Sequence, residues 1–266
     1  MKFMLNQAAI EVTRRCNLKC NHCMRGPSQN IDITENIIDS FLDNDEILSI
    51  GELLFSGGEP TINSAMIIYT IDKIINNYLN IYRLSMVTNG IVFDHDLIDA
   101  FNRFNNYRNN REKKEVIDSC RGDYSLIGNR ILESTDNHVF ITFSIDKYHK
   151  KIPNSNFKLY KEYGSKLNFL KYTIDDYDIY KTGYSNIGDE YNYSLRELRY
   201  YKEPGAYFIV DYLYLCANGL LTSNGMGMYQ DMDRINYGFI QDISIENLMC
   251  EEGKPIYGRD KIIKKV

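Results

Sequence analysis

Three cysteines fall within eight residues, in the run Cys16-Asn17-Leu18-Lys19-Cys20-Asn21-His22-Cys23. Thiolates gathered by a tight loop are how iron–sulfur clusters are held. Three of them on a four-iron cube leave one iron without a protein ligand. Catalysis at a metal needs such an open position, which a closed structural site lacks. The competing reading is zinc, with His22 or a remote cysteine as fourth ligand. Structural zinc usually recruits a second Cys-x2-Cys or a His pair, whereas Cys120, Cys216 and Cys250 stand singly. A disulfide framework would not cluster half its thiols this tightly. Cys216 and Cys250 read as small buried hydrophobes.

Three further short motifs carry polar or flexible residues: Gly57-Gly58-Glu59-Pro60, Thr88-Asn89-Gly90 and Ser144-Ile145-Asp146. Each has a plain reading when taken alone. Gly57-Gly58 can be a strand–helix turn with Pro60 opening the helix, and Asn89-Gly90 is an ordinary turn. Ser144 and Asp146 can be helix caps, and His149 reads as a solvated loop histidine.

The elements that position these residues alternate. Ala8–Thr13 reads as a strand that feeds the cysteine loop. Thr34 caps a helix over Glu35–Ile47 with Ile37, Ile38, Phe41 and Leu42 on one face. Glu52–Ser56 is a strand ending at Gly57-Gly58, and Asn63 or Ser64 caps the next helix. Leu84–Val87 is a strand closed by Thr88–Gly90, and Asp94 caps a helix through Phe104. Residues 105–137 read as a polar insertion with a short helix. His138–Ile145 is a strand, Asn156–Leu167 is helical, and Phe169–Tyr180 holds another strand. Strands alternating with helices imply a parallel sheet with right-handed crossovers. Ligands then sit at the C-terminal strand ends, where all four motifs fall. Tyr207–Cys216 and Leu220–Thr222 around Ala217-Asn218-Gly219 read as a β-hairpin. Ser244–Cys250 reads as a short helix, and Lys261–Val266 as a frayed end.

The 266 residues allow one large α/β domain with a small appendage. A net charge of −5 and a pI near 5.5 argue against a nucleic-acid surface. No apolar run is long enough to span a membrane, and the N-terminus shows no secretory signal. The expected setting is cytoplasmic and reducing.

Taken together, the four motifs resemble the radical S-adenosylmethionine (SAM) superfamily. Cys16-x3-Cys20-x2-Cys23 after a first strand is similar to its signature loop. Gly57–Pro60 is similar to its GGEP motif, Thr88–Gly90 to its TNG turn, and Ser144–Asp146 to its SxD. Lys181–Ser185 matches a Gly-Arg-Ala-like turn weakly, with Tyr184 where the Arg stands. The resemblance covers about residues 8–185. It implies a partial (β/α)6 barrel over residues 1–188, one [4Fe-4S] cluster on Cys16, Cys20 and Cys23, and SAM chelating the fourth iron. Reductive cleavage of SAM would give a 5′-deoxyadenosyl radical that abstracts hydrogen from substrate. Gly57 and Gly58 would let backbone approach the methionyl amine, with Glu59 supplying charge beside Pro60. Thr88, Asn89, Ser144 and Asp146 would meet the ribose and carboxylate. The backbone at His22 would meet the adenine, with Met24 as an apolar wall.

Residues 189–266 resemble the SPASM/Twitch type of C-terminal extension, through Tyr214–Gly219 and Asn236–Leu248. Those extensions need about four thiolates per cluster, so a small α+β cap without an auxiliary cluster is expected. With the first strand expected near residue 8, a leader-binding winged helix ahead of it is not expected. Recognition of a peptide would then fall to the cap, the insertion or a separate protein. The leading function is modification of a peptide or protein side chain, with an electron donor such as flavodoxin or ferredoxin as partner. A glycyl-radical-enzyme activase, a small-molecule or nucleoside enzyme, and a non-catalytic iron–sulfur or zinc module are the alternatives.

Overall fold

A computed structural model describes residues 1–110, 137–172, 180–186, 189–191, 193–203, 205–223, 225 and 227–249. Most of the polar insertion, Cys120, Cys250 and the C-terminal end lie outside these. Five strands run parallel in chain order: β1 (Phe3–Thr13), β2 (Ile47–Gly57), β3 (Ile81–Thr88), β4 (Val139–Ser144) and β5 (Asn168–Tyr172). Helices α1 (Glu35–Leu42), α2 (Ser64–Asn76), α3 (His95–Asn109) and α4 (Asn154–Tyr163) make the crossovers. This is the parallel α/β architecture expected of the partial barrel.

The two faces of the sheet differ in chemistry. Ala8, Ile10 and Val12 of β1 and Leu53 and Phe55 of β2 join the helix-covered core with Ile38, Phe41, Ile67, Ile71 and Phe101. Alternation along a strand turns the intervening side chains to the other face. These include Gln7, Glu11 and Thr13 of β1, and Glu52, Leu54 and Ser56 of β2. The inner face is therefore polar, and the large cavities open on it.

The last third joins the same sheet. After β6 (Tyr180–Lys181), β7 (Asp189–Glu190) and β8 (Tyr200–Glu203), strand β9 (Ala206–Leu215) pairs in parallel with β1. Strand β10 (Leu220–Thr222) and β11 (Gly238–Phe239) continue outward, antiparallel. The path is β11-β10-β9-β1-β2-β3-β4-β5, with β8 alongside β9 and β6–β7 as a separate pair. A short helix, α5 (Tyr229–Arg234), lies between β10 and β11. The hairpin expected at Ala217–Gly219 is present, and its first strand is also a neighbour of β1.

Two local expectations shift. α3 continues to Asn109, because Phe104, Asn105 and Arg108 are buried and Asn105 Oδ1 accepts the His138 N–H at 2.7 Å. α1 stops at Leu42, so β2 begins at Ile47, earlier than the alternation of Glu52–Ser56 indicates. Among the described residues, no helix is long and apolar enough to cross a membrane.

Candidate active site

The cysteine loop is held by backbone stitches from three elements. The Gly58 N–H donates to Thr13 O and the Glu59 N–H to Arg15 O, both at 2.8 Å. Two glycines make this approach possible. A Cβ at Gly57 would lie 2.2 Å from Thr13 O, at a φ of +147°, and one at Gly58 would lie 2.3 Å from Arg15 O. The double glycine thus sets β2 against the chain entering the cysteines. On the other side, the Tyr184 N–H donates to Cys23 O at 2.8 Å, and the Lys19 ammonium lies over the Tyr184 ring. The weakly matching turn at 181–185 is therefore part of the site. The Tyr229 N–H reaches Arg25 O from α5.

All three cysteines are half-buried free thiols. They line one cavity of about 400 Å³ together with Gly57, Gly58, Arg14, Arg25 and Tyr184. Burial raises the Cys20 thiol to about 11, with the neighbouring Cys16 and Cys23 adding to it. Burial likewise raises Cys16. His22, Asp146 and His149 bring their ligand atoms within 4.8 Å of one another. Three thiols on one short loop, lining one cavity, are a donor set that an iron–sulfur cluster can use.

Glu59 is 2% exposed and bonded within the protein. Its carboxylate accepts from Thr61 N and Oγ1, from Thr88 Oγ1 at 2.6 Å and from Asn89 N at 2.8 Å. The structure spends this charge on tying the loop after β2 to the turn after β3. Pro60 opens a single 3-10 turn, Pro60–Asn63, leading into α2. Asn89 Nδ2 in turn donates to Asn17 Oδ1 at 2.8 Å, so the turn after β3 grips the cysteine loop. Met24 and Gly57 line a second, larger cavity.

After β4, the Asp146 carboxylate is also fully engaged. Oδ1 accepts from the Tyr148 and His149 N–H groups, and Oδ2 faces His149 Nδ1 at 2.8 Å. Burial opposes its ionisation, but these bonds hold its carboxyl below the usual range. His149 is no solvated loop residue: its side chain is 14% exposed. Its ring meets His22 edge-on, with centroids 4.7 Å apart, and Tyr148 flanks His22 at the same distance. His22 is 6% exposed, and its Nδ1 is buried without a hydrogen-bond partner. Burial lowers its basicity, with His149 adding to that. Ser144 is buried at the end of β4.

A buried charge network passes unnoticed in the sequence because its members lie some 200 residues apart. Glu11 on β1 accepts from Arg14 Nε at 2.9 Å, Ala217 N at 3.0 Å and Tyr214 OH at 3.2 Å. Arg25 lies 3.6 Å from Glu11 and donates to Tyr214 OH at 2.8 Å. Arg14 forms a fork with Asp233 at 2.7 and 2.9 Å. These bonds lock β1, the end of the cysteine loop, the β9–β10 turn and α5 to each other. Arg25 lines both the cysteine cavity and a chamber of about 680 Å³ walled by Gln7, Ser56, Tyr212 and Tyr214. Apolar spacing could flag only Glu11 here, as a charge inside a strand.

A family model described as the Radical SAM superfamily matches residues 10–110. The matched span holds the cysteine loop and the motifs after β2 and β3, which the parallel sheet carries at its strand ends. A GTP 3',8-cyclase of Clostridium botulinum is 31% identical over 111 residues, 37% of this chain and 32% of that protein. An uncharacterized protein of Methanocaldococcus jannaschii is 36% identical over 75 residues, 27% of this chain and 25% of that one. The chain thus matches about a quarter to a third of the length of these relatives. Among solved structures, native anSMEcpe with bound AdoMet and Cp18Cys peptide covers 92% of this chain and 80% of its own, at a TM-score of 0.53 and 14% identity. That likeness is one of fold.

Proposed function

We propose that this protein is a single-cluster radical SAM enzyme that modifies a peptide or protein side chain. The observation that carries the chemistry is the cavity shared by Cys16, Cys20, Cys23, Gly57 and Gly58. The three thiolates would hold a [4Fe-4S] cluster, and Gly57 and Gly58 would stand beside the methionyl end of SAM. When bound and reduced, that pair supplies a 5′-deoxyadenosyl radical that takes hydrogen from substrate. The protein's own residues position and shield. The Glu59–Thr88–Asn89 bonds fix the two turns at the strand ends. The Glu11 network fixes the loop exit at Arg25. Cys216 is buried among Ala9, Tyr193, Tyr214, Leu220 and Met232, and burial pushes its thiol far up. That environment suits a packing role in a tail without its own cluster.

The peptide reading is supported by the fold likeness to an enzyme solved with a bound peptide. It is supported also by the tyrosine-walled chamber, since tyrosines give amphipathic contact area. A nucleotide or other small-molecule substrate is the second reading. The resemblance to a GTP 3',8-cyclase favours it, as does a chamber of about 680 Å³, a size typical of small-ligand pockets. A flavodoxin or ferredoxin would deliver the electron. Anaerobic reconstitution tests the reading. We expect about four irons per chain and an electron paramagnetic resonance signal that changes when SAM is added. Cys20→Ala should lose both. About eight irons would overturn the single cluster, and a signal indifferent to SAM would overturn the enzyme. Deuterium appearing in 5′-deoxyadenosine from a labelled peptide, but not from a labelled nucleotide, would support the substrate reading.

A further inference from the structure

The chamber of about 680 Å³ shares Arg25 and Gly57 with the cysteine cavity, so a molecule held in it adjoins the reacting centre. Its charged lining residues are Arg25, Arg196 and Asp211. The Asp211 carboxylate is spent on Arg199, whose Nε, Nη2 and backbone N–H all donate to it. Glu11, the acid beside Arg25, already accepts from Arg14, Ala217 and Tyr214. Arg25 is the opposite case. Its Nη2 donates to Tyr214 OH at 2.8 Å, and its Nη1 meets Met232 Sδ, a weak acceptor, at 2.9 Å. Glu11 Oε1 stays 3.6 Å away. A guanidinium carries five N–H donors, and those on Nε and the remaining terminal positions have no acceptor among the described residues. The side chain is 15% exposed, and donors so enclosed are costly to leave unmade unless a ligand brings acceptors. Gln7, Ser56 and Tyr212 stand on the same walls, and their side chains make no hydrogen bond among the described residues.

We propose that Arg25 is the specificity-determining residue of the chamber and that it takes a carboxylate of the substrate, an acidic peptide segment with an Asp or Glu side chain close to the hydrogen that is removed. The planar fork of a guanidinium matches one carboxylate through two parallel bonds. The count of charges separates this class from a nucleoside triphosphate. Two arginines among neutral hydroxyls and an amide suit a single negative charge. This rests on the peptide reading above.

The test is affinity selection from capped pentapeptides randomised at their central positions, using the anaerobically reconstituted chain with SAM and mass spectrometry as the readout. Wild type should enrich peptides carrying Asp or Glu about tenfold over their Asn or Gln counterparts, the worth of hydrogen bonds between charged groups. Arg25→Gln should lose the preference, and Arg25→Lys, a point charge without the fork, should keep part of it. Arg25→Gln also takes a partner from Tyr214 and Glu11, so Gln7→Glu serves as a variant outside that network. Its carboxylate on the chamber wall should cut the preference about threefold by repulsion. No acid preference in wild type would overturn the proposal, as would a preference unchanged in Arg25→Gln. A preference untouched by Gln7→Glu would overturn it by placing the peptides outside the chamber. GTP bound more tightly than any acidic peptide, and lost in Arg25→Gln, would overturn the substrate class in favour of a polyphosphate. Acidic peptides selected by a fully iron-loaded chain that leaves SAM intact under dithionite would support the site and refute the radical SAM reading.

Discussion

Replacing Glu11 by Gln should destabilise the protein by about 3–5 kcal/mol, the cost of removing one partner from a buried ion pair. Glu11 and Arg14 have side chains with no solvent exposure, and Arg25 is 15% exposed. The partners around Glu11 are all donors: the Arg14 and Arg25 guanidinium groups, the Ala217 N–H and the Tyr214 hydroxyl. A glutamine offers one oxygen and puts an N–H where an acceptor is required. Arg14 then keeps Asp233, which is 37% exposed, and Arg25 loses its carboxylate partner. Single domains are typically stable by about 5–15 kcal/mol, so the loss is a large fraction of the total. Urea unfolding followed by circular dichroism measures it, with a lower midpoint at unchanged slope. A loss under about 1 kcal/mol would show that the network is not a structural anchor and would refute the reasoning.

Gly57→Ala and Gly58→Ala should each push the loop after β2 away from Thr13–Arg15. The fraction of chains retaining iron after reconstitution and desalting should fall by more than half. In the metal-free protein, iodoacetamide should label Cys20 slowly at pH 8.5, because a thiol raised to about 11 is hardly ionised there. The rate should be roughly a hundredfold below the urea-unfolded chain and should rise as pH approaches 11. Peptide mass mapping of the label reads it out, and labelling as fast as in the unfolded chain would count against the buried placement. Glu59→Gln should lower stability by about 1–3 kcal/mol, since at least one of its buried donors loses its acceptor. Chemical denaturation checks it.

What the sequence made legible was local. The motifs at 16–23, 57–60, 88–90 and 144–146 each follow a strand, and Asp94 caps α3 through the Asp96 and Leu97 N–H groups. Alternation and capping act over a few residues and can be read directly. What escaped depends on partners far along the chain. The first strand starts at Phe3, because Phe3–Leu5 pair with Tyr207–Ile209 on one side. Asn105 and Arg108 look like the start of a polar insertion, yet they are buried helix residues. Glu59 and Asp146 carry charge that suits a cofactor, and the fold commits both to the protein: Glu59 to Thr61, Thr88 and Asn89, Asp146 to Tyr148 and His149. His149 became informative only when β4 brought it against His22.

The central claim is that Cys16, Cys20 and Cys23 hold a cluster that cleaves SAM. Anaerobically reconstituted protein with dithionite and SAM should release 5′-deoxyadenosine and methionine in equal amounts, and Cys20→Ala should release neither. A fully iron-loaded wild type that leaves SAM intact would contradict the account.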